Sequence, residues 1–149
     1  MQSSSGYASP IEILLVEDNP GDANLTKKAL ADSKVHNNMY VAEDGEEALA
    51  FLRQEGDFSD ARRPDLILLD LNLPKTSGHE VLQEIKDDET LSTIPVVVLS
   101  SSSAEEDIIK TYKLHASCYV SKPVDLTQFM KVVKSIDDFW FSIVRLPSK

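Results

Sequence analysis

The sequence predicts an α/β fold in which a five-stranded parallel sheet is covered by helices on both faces. Five short apolar segments alternate with longer segments whose apolar residues follow helical spacing. The apolar segments are continuous rather than alternating, which is typical of strands buried on both faces. At 149 residues, the chain fits one domain with a full core. We expect a doubly wound, flavodoxin-like strand order, 2-1-3-4-5, because that order suits a chain of this size and creates a switch point between strands 1 and 3.

The elements follow from apolar runs, caps and breakers. The predicted strands cover residues 11–16, 39–42, 66–69, 96–99 and 117–121. The predicted helices cover residues 22–32, 46–53, 80–86, 105–114 and 125–144, with Asp22 as the cap of the first. The polar connection 54–63 is expected to be a tolerated surface insertion. Residues 1–10 are expected to form a disordered arm, 11–145 the domain and 146–149 a tail.

Composition excludes several classes of protein. The net charge of −10 argues against nucleic-acid binding, which needs a basic face. No apolar run approaches the roughly 20 residues of a membrane helix, and the polar N-terminus lacks the features of a secretory signal. With Cys118 as the one cysteine, no intrachain disulfide can form. We therefore expect a cytoplasmic protein that contacts neither nucleic acid nor membrane.

The predicted third strand ends at an acidic residue. Pro64 and Pro74 bracket the apolar run 66–69, and Asp70 follows that run directly. A carboxylate at the carboxyl end of a buried parallel strand lies where open α/β sheets bind ligands. A lone aspartate after a strand is more often a turn residue. Asp70 is not alone, because polar residues follow the other strands too: Glu17 and Asp18 after the first, Asn72 after the third, Ser100 after the fourth and Lys122 after the fifth.

This set of residue types indicates phosphoryl transfer. Three carboxylates without histidine or cysteine suit a hard cation, Mg²⁺ in particular. A lysine and a hydroxyl suit phosphate oxygens, and aspartate can accept a phosphoryl group covalently. Each residue also has a simpler interpretation: Asp18 as a helix cap, Ser100 as a turn residue, Lys122 as a solvated lysine. Four strand ends that carry such groups together favour the functional interpretation.

The chain resembles the receiver domain of two-component response regulators over residues 11–139. The motifs that carry the resemblance are Leu-Val-Glu-Asp-Asn at 15–19, Ala-Glu-Asp-Gly-Glu-Glu-Ala at 42–48, Leu-Leu-Asp-Leu-Asn-Leu-Pro at 68–74 with Gly78, and Tyr-Val-Ser-Lys-Pro at 119–123. Residues 63–74 and the ending 139–147 look most like the single-domain regulators of cyanobacterial phytochromes. The resemblance implies a CheY-like fold, the same five-stranded arrangement as above.

The resemblance also implies roles for the acidic residues. Asp70 matches the acceptor, which takes a phosphoryl group from a phosphohistidine. Glu17 and Asp18 match the acid pair that, with Asp70, holds Mg²⁺ or Mn²⁺. Asn72 matches the residue whose backbone carbonyl completes the protein ligands of the metal.

Three further residues match the parts that respond to phosphorylation. Lys122 matches the lysine that pairs with the acceptor, and Ser100 the switch hydroxyl. Tyr119 matches the aromatic residue that turns inward on activation, although plain core packing is an alternative for a strand residue. The chain would then be a phosphoacceptor signalling protein rather than an enzyme, with self-catalysed phosphotransfer and slow autodephosphorylation only.

The implied partners are a sensor histidine kinase, of phytochrome type, and a second copy of the chain. Phe139, Trp140 and Phe141 cannot all face one buried stripe of a helix, so either an aromatic side chain is exposed or the tail packs back on its own domain. The resemblance favours the first alternative, and it implies a homodimer in which these residues and neighbouring residues of the fourth helix and fifth strand form the interface. Because no DNA-binding domain follows residue 149, output is expected through protein contact or phosphorelay. The alternatives are a phosphohydrolase that forms an aspartyl-phosphate and a degenerate receiver that serves as a binding scaffold.

Overall fold

The computed structural model describes residues 10–31, 36–71, 73, 77–100, 118–122 and 127. Five parallel strands form one sheet in the order β2-β1-β3-β4-β5, as predicted. The strands are β1 Ile11–Val16, β2 Asn37–Ala42, β3 Leu66–Asp70, β4 Val96–Ser100 and β5 Cys118–Ser121. The described helices are α1 Pro20–Ala31, α2 Gly45–Leu52 and α3 Gly78–Asp87. The helices predicted at 105–114 and 125–144 lie outside the described residues.

The sheet is the core because its strands are apolar on both faces. Every residue of β3 is buried, including Asp70 at its end. One face carries a cluster in which Leu14, Ile67 and Val96, which are register partners, pack with apolar residues of α2 and α3. The alternate strand residues, on the opposite face, are also buried, as are Ala23 and Leu30 of α1. Because crossovers between parallel strands are right-handed as a rule, we infer that α1 covers that face. Helices therefore cover both faces of the sheet, as the sequence predicts.

Polar caps start the helices at defined residues. Asp44 accepts a hydrogen bond from the Glu47 N–H at 2.8 Å and caps α2. Ser77 and Glu80 form a reciprocal capping box at the start of α3. The prediction that Asp22 caps the first helix was wrong. Asn19 accepts the Asp22 N–H at 3.0 Å, and α1 begins at Pro20, because proline tolerates the first helical position.

The connection before β3 is more than the polar surface insertion that was predicted. It contains a 3-10 helix, Gly56–Phe58, whose Phe58 is partly buried against the core. The Phe58 ring meets Tyr40 and Phe51 edge-on, and those two rings stack with centroids 4.5 Å apart. Arg63 fastens the end of the connection to the turn before β4 through hydrogen bonds of 2.7 and 2.8 Å. One apolar residue within a polar stretch was too weak a signal to predict this packing.

None of the helices in the described part of the chain has both the length and the apolar character that a membrane span requires.

Candidate functional site

The carboxyl ends of three strands meet at one edge of the sheet. Glu17 follows β1 directly, Asp70 is the last residue of β3, and the pairing of Val16 with Leu69 sets the two acids level with each other. Lys122 follows Ser121, the last residue of β5. Residues far apart in the chain therefore lie together because the parallel register fixes where each strand ends.

The Lys122 ammonium group is the centre of this arrangement. Its Nζ lies 2.7 Å from Glu17 Oε1 and 3.0 Å from Asp70 Oδ2. A third carboxylate oxygen, Asp22 Oδ2 in the first turn of α1, lies 2.8 Å away. Glu17 and Asp70 accept charge-assisted hydrogen bonds from the ammonium group, and Asp22 forms an ion pair with it. The lysine is therefore held between three elements of the fold, not solvated at the surface.

Glu17, Asp18 and Asp70 form a cluster that could hold a metal ion. Each offers a carboxylate oxygen, and the three oxygens lie within 4.8 Å of one another. Two oxygens bound to one Mg²⁺ at 2.1 Å can be at most about 4.2 Å apart, and a larger hard cation permits slightly more. Glu17 and Asp70 are buried, whereas Asp18 is exposed. An oxygen-only donor set of this size fits a hard divalent cation that keeps part of its water.

Burial and like charge perturb the ionisation of the site. Burial, the hydrogen bond with Asp70 and the charge of Asp70 together raise the pKa of Glu17 to about 7, against the lowering effect of Lys122. Burial by itself would lower the pKa of Lys122, but its polar contacts with the Asp22, Glu17 and Asp70 carboxylates, which stabilise the ammonium form, raise that pKa above its ordinary value. The lysine is therefore a permanent cation at physiological pH, while Glu17 exchanges protons near neutrality.

The raised pKa of Glu17 predicts that the metal-free protein becomes less stable as pH rises. Because the folded state binds the Glu17 proton more tightly than the unfolded state, this contribution is complete below pH 4.5 and is lost as pH rises through about 7. We expect the free energy of unfolding, measured with urea in chelator, to fall by roughly 1–3 kcal/mol from pH 5.5 to pH 8 relative to Glu17→Gln.

The Glu17→Gln variant is the matched control, because it keeps the size of the side chain and removes its titration. Parallel pH profiles for the two proteins would contradict the assignment. Adding Mg²⁺ should stabilise the wild type more at pH 8 than at pH 5.5, since the ion competes with the proton for the same carboxylate.

Gly78, at the start of α3, lies against the main chain of Asp70 and Leu71 at the end of β3. Its N–H donates a hydrogen bond of 3.2 Å to the Leu71 carbonyl oxygen. A Cβ at position 78 would lie 2.5 Å from both the Asp70 carbonyl oxygen and Leu71 Cα. The start of α3 can therefore approach the end of β3 this closely only because position 78 has no side chain.

The structure brings together four residues that the sequence singled out: Glu17, Asp18, Asp70 and Lys122. The backbone of Ser100 ends β4 opposite Ser121, and Tyr119 pairs with Val98 in β5. The side chains of Ser100 and Tyr119, all of Asn72 and the predicted interface residues Phe139, Trp140 and Phe141 lie outside what the structure describes.

The sequence analysis missed Asp22 as a member of the site. Its carboxylate contacts Lys122, although the residue was assigned only to capping. The signal was present in Asn19-Pro20, because an asparagine cap followed by proline at the first helical position puts Asp22 one turn into the helix. A carboxylate there faces the same sheet edge as the strand ends.

This geometry defines a protein of the receiver class, and comparison with known proteins identifies the family. The model of the response regulator receiver domain matches residues 13–134, so the chain belongs to that family. It is similar to the response regulator Rcp1 of Synechocystis sp. (strain PCC 6803), with 46% identity over 139 residues that cover 93% of this chain and 95% of Rcp1.

Two solved structures share the fold over nearly the whole chain. The phosphorylated cyanobacterial phytochrome response regulator RcpA is 54% identical, with a TM-score of 0.77 and coverage of 94% of this chain and 100% of RcpA. The Mn²⁺-bound form of Rcp1 is 46% identical, with a TM-score of 0.75 and coverage of 93% and 100%. The resemblance predicted from the sequence motifs, including its phytochrome-regulator branch, is confirmed.

Proposed function

We propose that this response regulator accepts a phosphoryl group on Asp70 from a phosphohistidine of a sensor histidine kinase, and that the kinase is a phytochrome. The observation that carries the proposal is the position of Asp70, which is buried at the end of β3 with Lys122 at 3.0 Å and the Glu17 and Asp18 carboxylates beside it. The phytochrome partner is supported by the similarity to RcpA, a cyanobacterial phytochrome response regulator.

The chemistry needs little beyond alignment and charge neutralisation. A carboxylate oxygen of Asp70 attacks phosphorus, a P–O bond forms, and the P–N bond to the kinase histidine breaks with its electron pair returning to the imidazole nitrogen. Lys122 remains protonated throughout and offsets the negative charge that accumulates on Asp70. Ser100, at the end of β4, would then bond the phosphoryl oxygens as the switch hydroxyl, and Tyr119 would follow.

A divalent cation fits the same site. Glu17, Asp18 and Asp70 would hold Mg²⁺, or Mn²⁺ as in the Rcp1 structure, and the backbone carbonyl of Asn72 would complete the protein ligands. When bound, the ion would supply positive charge that stabilises the phosphoryl oxygens. Burial and the neighbouring charge of Asp70 disfavour the ionised form of Glu17, and a cation bound there would offset both effects.

The test is the stoichiometry of labelling in Mg²⁺ with acetyl phosphate and with an autophosphorylated phytochrome kinase. One base-labile phosphoryl group per chain, lost slowly by autodephosphorylation, supports the proposal. Release of many phosphates per chain would identify a phosphohydrolase, and absence of label would identify a binding scaffold. Faster transfer from the phytochrome kinase than from unrelated histidine kinases would support the choice of partner.

The same proposal includes three further statements. The signal is passed on through protein contact or phosphorelay, the protein acts in the cytoplasm, and residues 11–145 form one domain.

We also propose a homodimer with two-fold symmetry through Phe139, Trp140 and Phe141, three closely spaced aromatic residues. Sedimentation at micromolar concentration tests this assembly: the wild type should sediment as a dimer and Phe139→Asp as a monomer. A monomeric wild type, with or without a phosphoryl mimic, would refute the dimer.

A further inference from the structure

Three carboxylate oxygens surround the Lys122 ammonium group in this structure. An ammonium group has three N–H donors. Glu17 and Asp70 accept hydrogen bonds of 2.7 and 3.0 Å from Lys122, and Asp22 Oδ2 lies 2.8 Å from its Nζ as an ion pair. A phosphoryl group on Asp70 would add acceptor oxygens close to Lys122. Since three carboxylate oxygens already crowd the ammonium group, we expect one of these contacts to lengthen or break when the lysine bonds a phosphoryl oxygen.

The three carboxylates differ in what release would cost. The side chains of Glu17 and Asp70 are 1% and 3% exposed, whereas that of Asp22 is 41% exposed. In the phosphorylated state Asp70 is part of the acyl phosphate, so Glu17 and Asp22 are the carboxylates that compete for the lysine. A buried Glu17 carboxylate that loses its ammonium partner gains no water in return, so that loss is expensive. An exposed carboxylate is rehydrated, and exposed ion pairs are weak for that reason. The bond to Asp22 is therefore the one that breaks most easily.

We propose that Asp22 is a positioning residue that holds Lys122 in the unphosphorylated site and releases it when Asp70 carries a phosphoryl group. The proposal rests on the proposed function, because it names a regulator of that same site. Asp22 competes with the phosphoryl oxygens for one N–H of Lys122, and its negative charge opposes the incoming anion. Asp22 thus has two opposing effects: it holds Lys122 in place before phosphorylation, and it weakens the affinity of the site for the phosphoryl group.

The first test measures affinity for beryllofluoride, a phosphoryl mimic, by ¹⁹F NMR at saturating Mg²⁺, so that changes in metal affinity do not enter. Asp22→Asn should bind beryllofluoride about three- to tenfold more tightly than the wild type, because the amide competes less well for Lys122. The matched control is Glu43→Gln, which removes one exposed charge from the same sheet edge, beside Glu17 and Asp18. It should change the affinity less than twofold.

The second test needs neither metal nor phosphoryl mimic. In protein labelled with ¹⁵N at lysine Nζ, the ammonium protons of Lys122 should exchange with water faster in Asp22→Asn than in the wild type or Glu43→Gln. A role for Asp22 in helix stability alone would leave this exchange unchanged.

The outcomes separate the two proposals. If the wild type binds beryllofluoride but Asp22→Asn binds no more tightly than wild type or Glu43→Gln, the release step is wrong and the proposed function stands. Unchanged ammonium exchange would refute the holding role. A wild type that does not bind beryllofluoride would overturn the proposed function and the release step together.

Discussion

Asp70→Asn is expected to abolish phosphoryl labelling while preserving the fold. The amide oxygen is a poor nucleophile and its product could not be an acyl phosphate, so the rate should fall by at least about a thousandfold. The substitution keeps the side chain's shape within a fully buried strand and removes one negative charge from a crowded acidic edge. Labelling by an autophosphorylated kinase and the far-UV circular dichroism of the variant measure the two expectations.

The matched control is Asp57→Asn, at an exposed aspartate in the connection before β3. It makes the same chemical change away from the strand ends and should label as the wild type does. Base-labile label that persists on Asp70→Asn would show that another carboxylate is the acceptor, with Asp18 the first candidate because it is exposed in the same cluster.

Gly78→Ala is expected to reduce stability and phosphorylation together. The added Cβ would lie 2.5 Å from the Asp70 carbonyl oxygen and from Leu71 Cα, and neither backbone atom can move without shifting β3 or α3. Overpacking of this kind costs about 2–3 kcal/mol or more. Because a displacement of about 1 Å at a reacting group can cost about a hundredfold in rate, transfer to Asp70 should slow well beyond the loss of folded protein. Urea unfolding and the labelling rate at equal folded concentration measure the two effects.

Gly21→Ala is the comparison for that prediction. Its Cβ would meet only the side-chain oxygen of Asn19, at 3.2 Å, and α1 gains from replacing glycine. Its stability should therefore stay within about 1 kcal/mol of the wild type. If Gly21→Ala and Gly78→Ala lost the same amount of stability, the close contact of Gly78 with the main chain would not be the reason that position 78 requires glycine.

The sheet could be predicted from sequence because burial on both faces leaves few alternatives for its strands. β1 was predicted at its observed bounds, 11–16, since five of its six residues are apolar. β2 begins two residues earlier than predicted, at Asn37, because pairing with β1 recruits two polar asparagines that no hydrophobic pattern marks. α3 likewise extends beyond 80–86 to Gly78–Asp87, since its capping box and first turn are polar.

The residues of the acidic site that lie at strand ends could be predicted from the sequence, whereas the one on a helix could not. The end of an apolar run marks the position of each of four residues: Glu17, Asp18, Asp70 and Lys122. The parallel register then brings the ends of those strands to the same edge of the sheet. Asp22 lies on a helix, and the direction in which a helical side chain points depends on the residue at which the helix begins. An error of two residues in that starting point turns the predicted direction by about 200°. The packing of Phe58 on Tyr40 and Phe51 was equally hidden, because it depends on contacts across the chain.

The ion pairs of Lys122 mean that the acidic site is completed late in folding. The lysine is separated by 52 residues from Asp70 and by 105 from Glu17. Such distant contacts form only after the intervening sheet has assembled, because closing so long a loop is slow and unrewarded until then. A chain still emerging from the ribosome has already exposed its acidic residues but lacks the cation that completes their arrangement. If the proposed function is correct, phosphoryl transfer to Asp70 is therefore confined to chains in which the sheet is complete.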